Sequence, residues 1–599
     1  MDITETSLGI SAAKGAAAIL PVLSPAGARQ FAPTGTAGPF ALDRVLHAQA
    51  TRLTSGLSPS SFPLACADCD VHLPNAPAHH AVRGTKAPEQ WNHYTEATGA
   101  PISSIPTRRT GGSAARSGNT NPTDFFTRAS CLLAADWWAE TSRGGPAVGH
   151  NQQIVSFAGR LWMDIVSPSN SSCPNLKIIE ATATTAGKNF NDGFKNFLNA
   201  QHATLDGIPS EGQNSVLGGD LAARPGKVVF RNELIDLIQY RPSTETACPE
   251  LVLVVPARIK KYDILDLSSH DSLIRHLAGK GYTVFVISWL SPGPDLRDMG
   301  LDDYRRLGPM AALKAVDDIC RTLPVHGSGS CLGGTRLLIT TAAIARDQDD
   351  RLKSLTLFAV QTDFTEASEL ELFISEGQPN FVENMMAVRG TLDSRQMAGA
   401  FQILSSNDLV WSRLIGSHLL GRPEAESDLI ASNADGTRMP ARMPSESLCR
   451  LFLNNDSAVG HLDIASRPVS LSDIHLASFV LGNQPDHIAP RHSVDTPHLL
   501  SPAEITFVLT SARHNADIVS EPGHPHRSFG SEILKAGSPG QGPDEWRATA
   551  HEQDGSWWPF WVEWLGRHSV EPTKPPIIGA PRNGYTILGG AHGTYVIEH

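Results

Sequence analysis

The chain has 599 residues, of which 41% are apolar, and a net charge of −12. This length favours two or more domains, and the apolar content is ample for a buried core. An acidic chain without a long basic tract argues against nucleic-acid binding. No run is long and apolar enough to predict a membrane span, and the apolar stretch at 16–23 makes a poor signal peptide because Pro21 interrupts it.

The eight cysteines are scattered along the sequence rather than clustered in a small scaffold. This distribution favours free thiols in a reducing, cytoplasmic setting. Cys66 and Cys69 form a C-x-x-C pair, but a zinc site needs a second pair of ligands at suitable spacing. We therefore expect neither a metal nor a redox role for this pair.

The first 120 residues are predicted to be a poorly ordered N-terminal region and linker. Helical spacing predicts one helix over 42–54. Residues 74–122 are rich in Pro, Gly, Ser, Thr and Ala and have little periodicity, which is typical of a linker.

Residues 121–217 are predicted to form a mainly helical N-terminal domain, because helical patterns run through 124–141 and 152–166. The second pattern ends before Pro168, which stops a helix. Its tryptophans are interpreted as core anchors of this helical layer. They are Trp137, Trp138 and Trp162.

Residues 218–599 alternate between strand and helix patterns, which predicts a doubly wound, mostly parallel α/β sheet. The predicted strands before the break are 227–230, 234–240, 251–256, 282–288 and 355–360, and the predicted helices are 272–278 and 302–323. Residues 363–467 break the alternation with mostly helical sequence, which we interpret as a cap inserted over the active site. Strands return at 476–481 and at 505–510, the second being the predicted last strand.

The segment from Val325 to Thr335 predicts a strand that turns sharply into a helix. Gly329, Cys331 and Gly333 form G-x-C-x-G, a nucleophile-elbow pattern with sulfur in the nucleophile position. Such a corner strains the nucleophile's backbone, and glycines on either side relieve the crowding. The turn aims the N–H of Leu332 at a developing oxyanion. A lone cysteine is nevertheless more often an inert buried residue.

The order of the candidate residues strengthens this interpretation. Cys331, Asp486 and His514 each follow a predicted strand, in the chain order of an α/β-hydrolase triad. Taken alone, Asp486 is equally explained as a turn residue after Pro485, and His487 is a rival to His514. As a set, the three favour nucleophilic catalysis.

Many segments, in one order from about residue 121 to the C-terminus, resemble polyhydroxyalkanoate synthases of the single-subunit, short-chain type. The segments are LWMDIVSPSN (161–170), DLAARPGKVVFRNELIDLIQY (220–240), RIKKYDILDL (258–267), NDLVW (407–411), NADGTRMP (433–440), PDHIAP (485–490) and GSWWPFWVEWL (555–565). The resemblance implies an α/β-hydrolase-like sheet with an inserted cap. It also implies that Cys331 is the acylated nucleophile, His514 its base and Asp486 the third member.

The implied reaction polymerises (R)-3-hydroxyacyl-coenzyme A, most directly the 3-hydroxybutyryl ester, with release of coenzyme A. Coenzyme A is then part of the substrate and a product, and no other cofactor is implied. The implied setting is a homodimer in the cytoplasm, on the surface of a polyester granule with its associated proteins.

Residues after the strand at 251–256 are candidates for binding. The N–H of Ala257 or of Arg258 would complete an oxyanion hole with Leu332. Lys260 and Lys261, with Arg258, would attract the phosphates of coenzyme A, although the residues by themselves favour a solvated charge cluster. His487 is a further candidate for contact with substrate.

Two other functions fit the same pattern. A thioesterase or depolymerase would use the triad with water as the acceptor and release free hydroxy acid. A granule-binding homologue without activity would keep the cap and the C-terminal tryptophans, whose spacing fits one helix face packed on the core.

Overall fold

The computed structural model describes residues 61–72, 133–138, most of 149–206 and most of 224–598. The longer gaps inside the last range are 366–371, 373–381, 398–409, 423–431, 495–500, 512–518 and 538–545. The predicted helix at 42–54, the linker at 74–122 and the domain limits at 120 and 217 lie outside the described residues.

The described residues before the sheet include four helices with defined ends. They are α1 (Ser61–His72), α2 (Gly149–Val166), α3 (Leu176–Thr184) and α4 (Lys188–Asp206). Asn175 caps α3 by accepting a hydrogen bond from the N–H of Lys177. The helix predicted at 152–166 is confirmed and begins three residues earlier, whereas only residues 133–138 of the one predicted at 124–141 are described, and these are helical.

The prediction that the tryptophans of this layer anchor its core is wrong for two of the three. The side chains of Trp137 and Trp162 are 48% and 65% exposed. Trp138 is half-buried and donates from Nε1 to the carbonyl of Val155. Phe157 lies on the buried face of α2. Trp162 follows five residues later, about 140° around the helix, and therefore lies on a different, exposed face.

The described strands form an eleven-stranded sheet in the order β14-β13-β12-β11-β6-β5-β3-β4-β2-β1-β15. Its members are β1 (Lys227–Arg231), β2 (Ile235–Tyr240), β3 (Leu251–Val255), β4 (Val284–Trp289), β5 (Val325–Ser330), β6 (Leu352–Phe358), β11 (Ser478–Asn483), β12 (Ile505–Thr510), β13 (Ser528–Leu534), β14 (His551–Asp554) and β15 (Gly589–Gly590). Six consecutive strands in this order are parallel to one another, namely β12, β11, β6, β5, β3 and β4. All other pairs in the sheet are antiparallel.

Helices follow the parallel strands, as the alternating pattern predicts. They are α5 (Leu273–Gly279), α6 (Leu301–Arg305), α7 (Ala311–Cys320) and α8 (Cys331–Arg346). A π-helical turn at Arg306–Met310 joins α6 to α7, so the helix predicted at 302–323 is one continuous helix that ends three residues earlier, at Cys320. Strands β3, β4 and β5 are buried along their whole length because helices cover both faces of a parallel sheet.

The prediction that residues 505–510 form the last strand is wrong. That strand is present as β12. Strand β13 pairs antiparallel with β12, and β14 pairs antiparallel with β13, so both extend the sheet beyond it. Their sequences are less apolar, and their burial alternates or is low, as expected for strands toward a sheet edge.

In its described residues, the segment between β6 and β11 contains short elements and no long strand. They include β7 (Thr391–Leu392), a π-helix at Leu414–Leu419, β8 (Met439–Pro440), α9 (Arg442–Ser447), β9 (Leu462–Ile464) and β10 (Arg467–Val469). The cap insertion predicted at 363–467 falls within this segment, and its limits stay a prediction. Helix α4 packs against its π-helix, where Asn189 Nδ2 donates to the carbonyl of Leu419 and Asn196 Nδ2 to that of Ser417.

The C-terminal tryptophans pack into the core, as their spacing predicts. Helix α10 (Trp558–Arg567) holds three of them, and Trp557 caps it. All four side chains are almost fully buried. Trp561 also donates from Nε1 to the hydroxyl of Thr356 on β6, so the cluster joins α10 to the middle of the sheet. Among the described residues, none of the helices has the length and hydropathy needed to span a bilayer.

Candidate active site

Cys331 lies at the corner between β5 and α8. Its backbone φ is +48°, in the left-handed region that residues other than glycine seldom adopt. The residue before it, Ser330, is extended with φ −118°. The strained strand-to-helix corner predicted from G-x-C-x-G is therefore confirmed. The thiol is free and half-buried.

Two glycines make this corner possible because other backbone lies within contact distance. A Cβ on Gly333 would stand 2.0 Å from the carbonyl oxygen of Pro256. A Cβ on Gly329 would stand 2.6 Å from the Cα of Gly334. The glycines thus let α8 begin against the end of β3 and against its own preceding strand.

The first turn of α8 directs its free N–H groups toward the corner, since N–H groups at a helix start lack partners within the helix. Leu332 supplies the first N–H after the cysteine. A sixteen-residue helix also places a partial positive charge at this end, which favours an anion beside the thiol.

The neighbouring loop after β3 is held to the elbow by a hydrogen bond. The N–H of Ala257 donates to the hydroxyl of Ser330, with 3.1 Å between N and Oγ. Both residues are buried. Of the two loop donors considered for an oxyanion hole, Ala257 therefore already has a partner within the protein.

Arg258 has a structural set of contacts. Its side chain is fully buried and donates to Thr437 Oγ1 (2.7 Å), the Tyr304 hydroxyl (2.6 Å) and the carbonyl of Arg438 (2.8 Å). Thr437 in turn donates its hydroxyl to the Arg258 carbonyl. These bonds attach the 436–438 segment of the insertion to the end of β3.

The two lysines that follow differ in environment. Lys261 is 1% exposed, whereas Lys260 is partly exposed and pairs through its backbone with Gly436. The alternative interpretation of this segment as a solvated charge cluster is therefore wrong for Arg258 and Lys261. The reason is that the inserted segment covers the loop.

Asp486 follows β11 and is 5% exposed. Its Oδ1 accepts the N–H of Ala489 (3.0 Å), and its Oδ2 accepts Nδ2 of Asn483 (3.2 Å). The Asn483 side-chain oxygen accepts the hydroxyl of Thr510, the last residue of β12. The carboxylate is thus tied to the ends of both β11 and β12.

The sheet brings the candidate segments to one edge. Ser330 pairs with Phe358 of β6, and Phe358 pairs with Leu481 of β11. Asn483 pairs with Thr510, four residues before His514. Because these strands are parallel, the residues that follow them emerge at the same carboxyl edge. His514 and His487 themselves lie outside the described residues.

Sequence reasoning did not single out Ser330 or Arg336. The bond from Ala257 to Ser330 depends on β3 and β5 being neighbours in the sheet, which the sequence does not show. Arg336 did carry a signal, because an arginine within the apolar run 335–345 must be buried with the helix.

Among the described residues, no group of three His, Cys, Asp or Glu side chains is arranged to hold a metal ion.

The strand order and the strained cysteine corner define a protein of the α/β-hydrolase fold with a cysteine at its nucleophile elbow. Solved structures of that fold align with the chain, among them a carboxyl esterase from Bacillus coagulans at 13% identity and a TM-score of 0.29, covering 47% of this chain and 88% of the esterase.

Two family models match the chain. Residues 114–277 match "Poly-beta-hydroxybutyrate polymerase (PhaC) N-terminus", and residues 37–79 match "Poly-beta-hydroxybutyrate polymerase N terminal". A poly(3-hydroxyalkanoate) polymerase of Methylorubrum extorquens is 35% identical over 80% of this chain and 79% of its own length. A poly(3-hydroxyalkanoate) polymerase subunit of Cupriavidus necator is 30% identical over 84% of this chain and 85% of its own.

The chain therefore belongs to the poly(3-hydroxyalkanoate) polymerase family, a family of acyltransferases. The resemblance seen in the sequence motifs is confirmed.

Proposed function

We propose that this protein polymerises (R)-3-hydroxyacyl-coenzyme A, most directly the 3-hydroxybutyryl ester, into a polyester through an acyl-Cys331 intermediate. The observation that carries the proposal is the position of Cys331 at a strained corner facing a helix N-terminus. Membership of the polymerase family supports the reaction class.

In the proposed first step, the Cys331 thiolate attacks the thioester carbonyl. The carbon–sulfur bond to coenzyme A breaks, and a new thioester to Cys331 forms. The departing thiolate takes up the proton that His514 removed from Cys331. Exchange between two thioesters is nearly balanced in energy, so the acyl group can be loaded and passed on.

In the proposed second step, the 3-hydroxyl of one acyl unit attacks the carbonyl carbon of another acyl unit that is held as a thioester. An ester bond forms, and the carbon–sulfur bond of the thioester breaks. The leaving thiol receives the proton of that hydroxyl through His514. Asp486 orients His514 or, with it, activates the 3-hydroxyl. The buried, doubly hydrogen-bonded carboxylate supports a fixed orientation for Asp486.

Both steps create an oxyanion, and Leu332 is our first donor to it. The N–H of Ala257 already donates to Ser330 in the resting protein. We therefore favour the N–H of Arg258 as the second donor to the oxyanion. Ala257 can act only if its N–H leaves Ser330. In either case the donors are backbone groups, which need no reorganisation of long side chains.

The remaining assignments extend this proposal. Lys260, which is partly exposed, is our candidate for the phosphates of coenzyme A, ahead of the buried Lys261. His487 stays a predicted substrate contact. We further propose a homodimer on the surface of cytoplasmic polyester granules, with no cofactor beyond the coenzyme A of the substrate.

The test is to incubate the purified protein with (R)-3-hydroxybutyryl-coenzyme A, follow thiol release and separate products by size. Cys331→Ala should abolish release, whereas Cys66→Ala on α1 should retain it. High-mass polyester supports the proposal. Monomeric hydroxy acid as the product would instead indicate a thioesterase or depolymerase. Absence of thiol release from the folded wild type as well as from Cys331→Ala would instead indicate a granule-binding protein without activity.

A further inference from the structure

Arg336 is a buried cation on the helix that carries Cys331. It lies in the second turn of α8, and its side chain is 3% exposed. Its guanidinium stands 5.3 Å from the ring centroid of Tyr304, and that of Arg258 stands 4.7 Å from the same ring. Two buried positive charges therefore share one aromatic ring.

Among the residues that the structure describes, Arg336 has no hydrogen-bond acceptor and no ion-pair partner. Its Nε is buried without an acceptor. The nearby carboxylate of Glu446 is committed elsewhere, to Arg442 Nε (2.8 Å) and to the N–H of Leu301 (2.7 Å). Arg258, by contrast, uses its guanidinium in three hydrogen bonds.

Burial without a counter-charge opposes the charged form of Arg336. Burial lowers the pKa of this guanidinium to about 10, and repulsion by Arg258 adds to the effect. A buried ion is normally paired, because removing it from water costs free energy that only a counter-charge and hydrogen bonds restore. The missing partner is therefore an anion.

A cavity of about 90 Å³ lies against Arg336. This is on the order of the volume of three water molecules, which accommodates a tetrahedral oxyanion. Three other arginines line it, namely Arg305, Arg442 and Arg450. Each of these already has a carboxylate, in Asp302, Glu446 and Asp456.

The apolar part of the wall strengthens the electrostatic attraction of an anion. Ile339, Leu462 and Ile464 line the cavity beside the arginines. Charges interact more strongly where such side chains exclude water. The acids in the wall are Asp302, Asp303 and Glu446, and they pair with Arg305, Arg306 and Arg442 in that order. Arg336 therefore supplies the uncompensated charge.

We propose that this cavity binds a phosphate-type oxyanion on Arg336. The anion would join α6, α8, α9 and β9, and so hold the insertion against the helix that begins at Cys331. The phosphate is either inorganic phosphate or the 3′-phosphate of coenzyme A. The inference rests on the buried Arg336 and the cavity beside it, and only the choice of coenzyme A as the source of phosphate rests on the proposed function.

The test compares thermal unfolding of the full chain in sodium phosphate and in sodium chloride of equal ionic strength. We expect phosphate to raise the Tm of the wild type and of Arg567→Leu, a control on the exposed face of α10. We expect no phosphate-dependent rise for Arg336→Leu. That variant should be at least as stable as the wild type in chloride, because it removes an unpaired buried charge.

Coenzyme A and dephospho-coenzyme A distinguish the two sources. If coenzyme A raises the Tm, dephospho-coenzyme A does not, and the rise depends on Arg336, the ligand is the 3′-phosphate. If inorganic phosphate raises the Tm, the ligand is the free ion. Equal rises in wild type and Arg336→Leu, or none with any ligand, overturn the proposal. If Arg336→Leu does not fold, equilibrium dialysis of wild type with radiolabelled phosphate decides, since failure to bind about one phosphate per chain also overturns it.

Discussion

The N–H of Ala257 and the hydroxyl of Ser330 form a hydrogen bond across two neighbouring strands, at the residue that precedes Cys331. This bond fixes the loop after β3 against the nucleophile corner. It also occupies a backbone donor that stands beside the corner. Ser330 therefore holds the loop after β3 against one side of the elbow.

Ser330→Ala should release the Ala257 N–H toward a forming oxyanion. We expect thiol release from the acyl-coenzyme A to become severalfold faster, with a loss of about 1–3 kcal/mol in unfolding free energy. Ser328→Ala is the matched control, because Ser328 lies on β5 like Ser330 but its hydroxyl donates to the Leu253 carbonyl on β3. It should lose stability without faster turnover. A slower Ser330→Ala enzyme of normal stability would contradict this role.

Gly333→Ala should prevent α8 from starting where it does, because its Cβ would stand 2.0 Å from the Pro256 carbonyl oxygen. We expect a large fall in Tm together with loss of thiol release. Gly566→Ala in α10 meets no atom within 4 Å. This control should be as stable as the wild type or up to about 1 kcal/mol more stable. Similar Tm values for the two variants would refute the crowding argument.

Arg258→Met should loosen the inserted segment from the sheet. The variant loses three side-chain hydrogen bonds and leaves the Thr437 and Tyr304 hydroxyls without their donor. We expect a loss of about 3 kcal/mol or more in urea unfolding, since bonds to a charged group contribute about 1.5–3 kcal/mol each and are not additive. The exposed Arg306→Met should change stability by less than about 0.5 kcal/mol. Equal losses would show that Arg258 is not the attachment.

His326, the buried second residue of β5, should make stability depend on pH. Burial chiefly, and then the charges of His568 and Lys353, lower its pKa from 6.5 to about 3. It sits between Ser354 Oγ (2.7 Å) and Ser569 Oγ (3.1 Å).

Because its pKa is lower in the folded protein, the unfolded chain takes up the proton first as pH falls. Stability should therefore decrease between pH 6.5 and 3, by up to about 1.4 kcal/mol per pH unit. Urea unfolding across pH 4–7 measures this, and His326→Asn should flatten the slope. The exposed His551→Asn controls for surface histidines, and parallel slopes for wild type and His326→Asn would rule out the assignment.

The order of elements was predictable from the sequence because apolar pattern and length decide local conformation. The run at 505–510 is β12 to the residue, and the strands and helices from β1 to β6 lie within a few residues of their predicted places. The tryptophans of α10 were predicted to pack on the core because 3.6-residue periodicity places them on one face.

The errors arose where exposure depends on which element lies alongside. Trp162 is apolar, yet it is exposed because the neighbours of α2 contact another face. Arg258 is charged, yet it is buried because Thr437, 179 residues later, returns over it. Composition alone does not reveal such partners.

The sequence by itself therefore determined the parallel strands of the sheet, the glycine-flanked corner at Cys331 and the family. These depend on side-chain size, polarity and backbone freedom within a few residues. Only the tertiary structure decided that Ser330 holds Ala257, that Arg258 anchors the insertion and that Arg336 is buried without a counter-charge. Hydrogen bonds and ion pairs act over a few ångströms, so they are set by which distant segments the folded chain places together.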